Sequence, residues 1–159
     1  HHDRLGGGTA TITHNGSSNF AIVSLDDHGG HLDLLVNEIG RYAGVRPLDF
    51  VETPAALKIT ADGSWKIVVR ALGKAPVWPR AATSGKGAMV VRVDPAAVRE
   101  LATVTVTHRG SSNFVVHAYG STAELLINEI GRYSGEVLLP AETVALVIEA
   151  DGAWTVRPS

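Results

Sequence analysis

An internal sequence repeat limits the folds that this chain can adopt. Three blocks recur, and each pairs with its second copy as follows: Thr13–Phe20 with Thr107–Phe114, Leu34–Gly44 with Leu125–Gly135, and Ala61–Trp65 with Ala150–Trp154. The spacing between copies shortens along the chain, which predicts loops of variable length at 26–31 and 46–55. A repeat of this length is a whole small domain, so the sequence predicts a tandem duplication.

Within each copy, the pattern of residues predicts β-strands. The run Thr103–Thr107 alternates Thr and Val strictly, as a strand with one apolar face does, and 9–13 is its counterpart. Asp62 and Gly63 separate two alternating runs, which is a strong hairpin signal. Leu32–Ile39 has a spacing that suits a strand or a short helix, and its length favours the strand. The expected fold is all-β, with two tandem antiparallel β-sandwich domains of jelly-roll or Ig-like type.

The predicted organisation has four parts. Residues 1–8 are interpreted as a tag remnant and flexible lead-in, and the two repeats cover 9–71 and 87–159. The stretch 72–86 between them contains Pro and Gly and is predicted to be a linker. A strand at 87–93 precedes the second repeat, whereas the first repeat lacks this opening strand. Because an uncovered sheet edge promotes association, we expect upstream residues, the linker or another molecule to pair with it.

Composition narrows the class of function. Of the 159 residues 45% are hydrophobic, and 14 basic against 16 acidic side chains give a net charge of −2. This balance argues against a disordered tail and against a nucleic-acid partner. No apolar run reaches the ~18 residues that predict a membrane span. The absence of cysteine excludes disulfides, thiolate metal sites and cysteine nucleophiles.

Five residues are candidates for ligand binding. Trp78 lies between two prolines, where it either covers apolar surface at the domain junction or offers an exposed stacking platform. Tyr42 and Tyr133 either close one end of each domain or stack on a sugar. His14 and His108 lie at a strand-to-turn boundary, where hydrogen bonds from the imidazole can fix the turn, with ligand contact and metal binding as the alternatives.

The tryptophans after the two Asp-Gly turns are predicted to be core residues. Trp65 is in phase with Ile67 and Val69 along its strand, and Trp154 is in phase with Val156. Because alternate residues of a strand share one face, we expect both rings to lie on the apolar side.

One loop is rich in hard metal ligands. Asp26, Asp27, His28 and His31 lie within six positions and present the ligand types of Ca²⁺ or Zn²⁺ sites. The second copy has Gly-Ser-Thr-Ala-Glu in their place, and the spacing fits neither an EF-hand nor a zinc finger. We therefore expect no cofactor, and calcium or zinc at this loop stays an alternative.

Taken together, the repeated blocks resemble a known module. The pattern His-x-Gly-x-Ser-Asn-Phe, Leu-Leu-x-Asn-x-x-Gly-x-Tyr-x-Gly and Ala-Asp-Gly-x-Trp is similar to that of an uncharacterised β-sandwich module. That module occurs in predicted exported and surface proteins of actinobacteria and halophilic archaea. The resemblance covers nearly all of both copies and carries no catalytic residues. It implies an extracellular or cell-surface location and a module that accompanies other domains.

The predicted function is a non-enzymatic extracellular binding or structural module of a larger surface or secreted assembly. Duplication suits this role because it adds avidity or length without new chemistry. The expected partner is a protein or polysaccharide at the cell surface, and self-association through the open edge of the first repeat is a further route. The alternatives are a carbohydrate-binding module that uses Trp78 with Tyr42 or Tyr133, and an enzyme with an unrecognised site.

Overall fold

A computed structural model describes residues 7–48, 50, 52–79, 81–94 and 102–159. These residues form an all-β structure of several antiparallel sheets, with one parallel strand pair and one 3-10 helix, Leu72–Lys74. The chain divides into two compact units, and the division falls between Leu72 and Gly73. We call residues 7–72 the N-terminal unit and residues 73–159 the C-terminal unit. None of the described elements is a helix long and apolar enough to cross a membrane.

The N-terminal unit contains two three-stranded antiparallel sheets. Its strands are β1 (Gly8–His14), β2 (Asn19–Leu25), β3 (His31–Ile39), β4 (Tyr42–Leu48), β5 (Ala56–Thr60) and β6 (Trp65–Ala71). The strand order is β4-β1-β6 in one sheet and β3-β2-β5 in the other. Ala10 and Ile12 from the first sheet pack with Phe20, Ile22 and Val36 from the second, so the core lies between the two sheets.

The C-terminal unit has the same six strands and three more. Its strands are β7 (Val77–Trp78), β8 (Thr83–Lys86), β9 (Met89–Val93), β10 (Ala102–His108), β11 (Asn113–Tyr119), β12 (Ala123–Ile130), β13 (Tyr133–Leu139), β14 (Ala145–Glu149) and β15 (Ala153–Pro158). Its sheets have the orders β13-β10-β15-β8 and β12-β11-β14-β9-β7. Phe114, Leu139, Ile148 and Trp154 are among its buried core residues.

Corresponding strands pair in the same register in both units. His14 at the end of β1 lies opposite Tyr42 of β4 and Trp65 of β6. The last residue of β10, His108, faces Tyr133 and Trp154 in the same way. The predicted strands at 9–13 and 103–107 are confirmed, as is the strand over Leu32–Ile39, so the helical alternative for that run is wrong.

Two boundaries differ from the sequence-based expectation. The stretch predicted as a linker, 72–86, includes β7, which pairs with β9, and β8, which pairs with β15. The predicted loop at 46–55 begins too early, since β4 continues to Leu48. The lead-in at 1–8 lies outside the described residues except for Gly7 and Gly8, and Gly8 begins β1.

The stretch Thr83–Val93 is the main difference between the two units, and we call it the bridging segment. Its first strand, β8, pairs with β15 in one sheet, and its second strand, β9, pairs with β14 in the other. The predicted strand at 87–93 is thereby confirmed as β9. In the N-terminal unit, β6 and β5 correspond to β15 and β14, and each ends its sheet among the residues that are described.

Candidate functional site

A cluster at one end of the N-terminal unit joins three turns, and we call it the N-terminal latch: His14, Ser17, Ser18, Gly40 and Asp62. Nδ1 of His14 donates a hydrogen bond to the Gly40 carbonyl oxygen at 2.7 Å. Oδ2 of Asp62 accepts hydrogen bonds from the backbone N–H groups of Ser17 at 3.1 Å and Ser18 at 3.0 Å. The imidazole and the carboxylate thus tie the β1–β2, β3–β4 and β5–β6 turns together.

The C-terminal latch repeats this geometry with His108, Ser111, Ser112, Gly131 and Asp151. Nδ1 of His108 lies 2.7 Å from the Gly131 carbonyl oxygen. Oδ2 of Asp151 accepts from the backbone N–H of Ser111 at 3.0 Å and of Ser112 at 3.1 Å. The repeated motif residues therefore build the same cluster in both units.

The latches are also electrostatic contacts. Nε2 of each histidine lies 3.3 Å from Oδ1 of its aspartate, an ion-pair distance, although it makes no hydrogen bond of regular geometry. The Ser17 N–H is the main cause that lowers the pKa of Asp62 below 3.8. Burial raises the pKa of Asp151, but the N–H groups of Ser111 and Ser112 outweigh it and leave that pKa below 3.8.

Each latch histidine is packed inside its unit. The His14 ring stacks on Phe20 with centroids 4.2 Å apart and an interplanar angle of 6°, and Phe20 in turn contacts Tyr42 at 6.0 Å. The C-terminal unit repeats the row, with a stacked pair at 4.3 Å and a half-buried Tyr133 at its end. Both histidines are buried, so their geometry agrees with the fixing of turns. Both tyrosines close the ends of the aromatic rows.

A latch contains Ser, His and Asp but not the arrangement of a hydrolytic triad. In a triad, the serine hydroxyl faces an imidazole nitrogen that takes its proton. Here Oγ of Ser17 donates to Oδ2 of Asp62 at 3.4 Å, and the nitrogens of His14 face Gly40 and Asp62. This geometry organises backbone N–H groups and does not activate the Ser17 hydroxyl.

The glycine of the His-x-Gly motif is required because side chains of the latch lie very close to its Cα. A Cβ at Gly16 would collide with Oδ1 of Asp62 and with the ring of His14, and Gly110 is in the same position in the other latch. The sequence pattern assigned Asp62 and Asp151 only to hairpin turns. The hairpin is wrong in both units, because β5 and β6 belong to different sheets and so do β14 and β15. The pattern also missed the role of the two aspartates in the latches. The joint recurrence of the His-x-Gly-x-Ser and Asp-Gly blocks in both copies is the signal that points to it.

Asp26 closes the loop that is rich in hard metal ligands. Oδ1 of Asp26 accepts from the backbone N–H groups of His28 at 2.8 Å and Gly30 at 2.7 Å, which closes the turn. Asp27 and His28 pair at 3.5 Å on the surface, and His31 begins β3. In the described part of the chain, no group of three or more His, Asp or Glu side chains is placed to hold a metal ion. Calcium or zinc at this loop therefore stays an untested alternative.

The three tryptophans lie in different surroundings. Trp78 is 3% exposed within the C-terminal core, and its Nε1 donates to the Ala81 carbonyl oxygen at 3.1 Å, so the exposed-platform interpretation is wrong. Trp154 is 2% exposed, which confirms a core position. Trp65 is 48% exposed, and its assignment to the core is wrong. The cause is β8, which covers Trp154 and has no counterpart beside β6 among the strands described.

Trp65 lines a shallow cavity of about 480 Å³ in the N-terminal unit. We call the side chains of Arg41, Tyr42, Trp65 and Lys66 around it the Trp65 face. The corresponding cavity of the C-terminal unit is about 320 Å³ and has Tyr133 but no tryptophan in its lining. The Trp65 face combines aromatic rings with two cations, so it can stack, bury apolar surface and donate hydrogen bonds.

No protein-family model matches this chain, and no curated protein matches it either. The function must therefore be inferred from the chemistry of the Trp65 face and of the latches.

Proposed function

We propose that this chain is a non-enzymatic binding module of an extracellular or cell-surface assembly, built from two tandem β-sandwich domains. One observation carries the proposal: Trp154 is buried beneath β8, whereas Trp65 at the same register position is 48% exposed. A large aromatic ring beside an uncovered sheet edge is typical of an interaction surface. The expected location comes from the resemblance of the repeated blocks to exported modules.

The internal packing of each unit supports the sandwich architecture. In the N-terminal unit, buried residues of the β4-β1-β6 sheet contact buried residues of the β3-β2-β5 sheet. The corresponding sheets of the C-terminal unit share one larger cluster. Since the recurring His and Asp residues are engaged in the latches, the repeated signature serves packing.

Carbohydrate binding is a second candidate, favoured by one feature of the Trp65 face. Trp65 and Tyr42 line the same cavity as Asn15 and Arg41, which offer hydrogen-bond donors beside aromatic surface. Sugars are bound by this combination of stacking and hydrogen bonding. In this version of the hypothesis, Trp65 takes the place of the buried Trp78.

A binding screen with the full chain tests the proposal. Cell-wall polymers, oligosaccharides and immobilised polypeptides are screened against the unaltered chain, Trp65→Ala and Leu138→Ala. Leu138 is an exposed apolar residue of the C-terminal unit and is the matched control. We expect Trp65→Ala to weaken binding by roughly 30-fold or more, as central aromatic residues do, and Leu138→Ala to leave it unchanged. Equal affinity of all three chains for every probe would contradict the proposal.

A further inference from the structure

In the C-terminal unit, the bridging segment covers four residues that the other unit leaves more exposed. Along β8, Gly85 lies opposite Trp154 and Thr83 lies opposite Val156. Along β9, Val91 lies opposite Leu146 and Met89 lies opposite Ile148. One short segment therefore adds a strand to each of the two sheets and buries both edges.

The contact between the bridging segment and Trp154 requires a glycine at position 85. A Cβ at Gly85 would collide with Cζ2 of Trp154. The indole Nε1 donates a hydrogen bond to the Gly87 carbonyl oxygen at 3.0 Å. The ring thus requires a flat, side-chain-free stretch of strand above it and an acceptor two residues further on.

The N-terminal unit keeps the apolar residues that such a segment covers. Trp65 and Ile67 on β6 stand where Trp154 and Val156 stand on β15, and Leu57 and Ile59 on β5 stand where Leu146 and Ile148 stand on β14. Ile67, Leu57 and Ile59 are only half-buried, whereas their three counterparts are buried. The acceptor surface is present, and no described strand covers it.

We propose that the open edges of β5 and β6 accept a two-strand segment of another polypeptide, which adds one strand to each sheet and places a glycine against Trp65. This inference rests on the proposed function and names the partner class for the same face. Backbone N–H and C=O groups of both edges supply the pairing, as in other cases of strand addition. The half-buried side chains of Ile67, Leu57 and Ile59 supply apolar surface to bury.

Charge defines the partner further. The outward positions of the two edges carry Lys58 on β5 and Lys66 on β6, where the C-terminal unit has Val147 and Thr155. In the bridging segment, Val90 and Ser84 lie opposite those two positions. Opposite charges in direct cross-strand pairs are stabilising. The partner segment therefore carries Asp or Glu at the positions of Ser84 and Val90.

The same charges argue against other occupants. Edge-to-edge pairing of two copies would bring strands with Lys58, Lys66 and Arg70, and no acidic residue, against each other. The chain's own bridging segment already pairs with β14 and β15, and its removal would uncover Trp154. A separate acidic segment pairs with β5 and β6, places opposite charge beside their lysines, and leaves Trp154 covered.

Three synthetic peptides that span residues 81–94 test the inference with the full chain. One has the natural sequence, one carries Ser84→Glu and Val90→Glu, and one carries these changes with Gly85→Ile. None contains tryptophan, and Trp65 is exposed while Trp78 and Trp154 are buried, so acrylamide quenching of the chain reports on Trp65. We expect the acidic peptide to protect Trp65 and to bind roughly 2- to 30-fold more tightly than the natural one. The Gly85→Ile peptide should bind roughly 10- to 100-fold more weakly than its glycine parent.

A donor segment tethered to the chain provides a second test. A free peptide loses conformational entropy when it becomes ordered on binding, and this loss lowers its affinity. The acidic sequence is joined ahead of residue 7 through a flexible Gly/Ser linker, which raises its effective concentration to about millimolar. We expect this chain to have a higher Tm and slower amide exchange in β5 and β6, and a Gly85→Ile tether to have neither.

Four outcomes would overturn the inference. The first is equal affinity of the glycine and isoleucine peptides for the chain. The second is that the tethered donor does not slow amide exchange in β5 and β6, and the third is that it slows exchange in β14 and β15 instead. The fourth is a dimer in which Trp65 is buried in the absence of peptide. If oligosaccharides and not peptides protect Trp65, the inference fails while the proposed binding function stands. If Trp65→Ala changes the binding of no probe, the proposed function fails as well.

Discussion

Trp65 and Trp154 follow the same Asp-Gly turn, occupy the same register opposite a latch histidine, and yet differ in exposure from 48% to 2%. Within a unit, the strands and the turn around the two residues are alike. The difference comes from β8, which lies beside β15 and has no described counterpart beside β6. A repeated sequence therefore places a side chain on a face of its sheet, while the neighbouring strand decides whether that face is buried.

Truncation of the two tryptophans should give the largest contrast. Trp154→Ala removes a buried ring and should lower the free energy of unfolding by about 3–5 kcal/mol. Trp65→Ala removes a half-exposed ring and should lower it by about 1 kcal/mol, because less contact is lost. Chemical denaturation of each variant measures both values. Equal losses would mean that both rings have the same surroundings in solution.

Substitution of Gly85 tests the contact that buries Trp154. Gly85→Ile in the full chain forces β8 away from the ring and should cost about 1–3 kcal/mol, with increased acrylamide quenching of Trp154. Gly73→Ala is the matched control, since a Cβ there meets no atom within 4 Å. A stability loss of the same size in both variants would contradict the role of Gly85.

The latches should respond to acid in the same way in both units. Because the folded-state pKa of Asp62 and of Asp151 lies below 3.8, their stabilising contribution is present above pH 3.8 and is lost as the pH falls through the folded-state pKa. The unaltered chain should therefore lose stability below pH 4 more steeply than the Asp62→Asn/Asp151→Asn chain. Thermal unfolding between pH 6 and pH 3 measures the two slopes, and parallel slopes would show that the carboxylates do not contribute.

The smallest effects are expected at the loop that precedes β3. Asp26→Ala removes two hydrogen bonds that close the turn and should cost about 1 kcal/mol. Asp27→Ala, the control in the same loop, removes only an exposed ion pair and should have no measurable effect. Addition of calcium or zinc should leave the Tm of the unaltered chain unchanged. A metal-dependent rise in Tm that Asp26→Ala abolishes would show a metal site at this loop.

Several features could be predicted from the sequence because they depend on near neighbours. The Thr-Val alternation of 103–107 defines a strand within a few residues of itself, and that strand is confirmed as β10. The hairpin predicted at Asp62-Gly63 is wrong, because the turn connects β5 of one sheet to β6 of the other. The latches were harder to predict, because His14 and Asp62 meet only when the β1–β2 and β5–β6 turns lie at the same end of the unit.

The stretch predicted as a linker shows the opposite case. Thr83–Lys86 has the sequence Thr-Ser-Gly-Lys, which has little strand propensity of its own. It forms β8 because it pairs with the edge of β15, and because Gly85 has no side chain to collide with the ring of Trp154. Neither condition can be seen in the four residues themselves.

The all-β class, the duplicated strand pattern and the side chains that share one face of a strand follow from the amino-acid sequence, because alternation along a strand is a local property. The tertiary structure decided which tryptophan is covered, where the linker becomes part of a sheet, and which distant residues form each latch. Burial and hydrogen bonding at these places depend on partners far away in the chain, and the spacing of residues along one strand does not encode those partners.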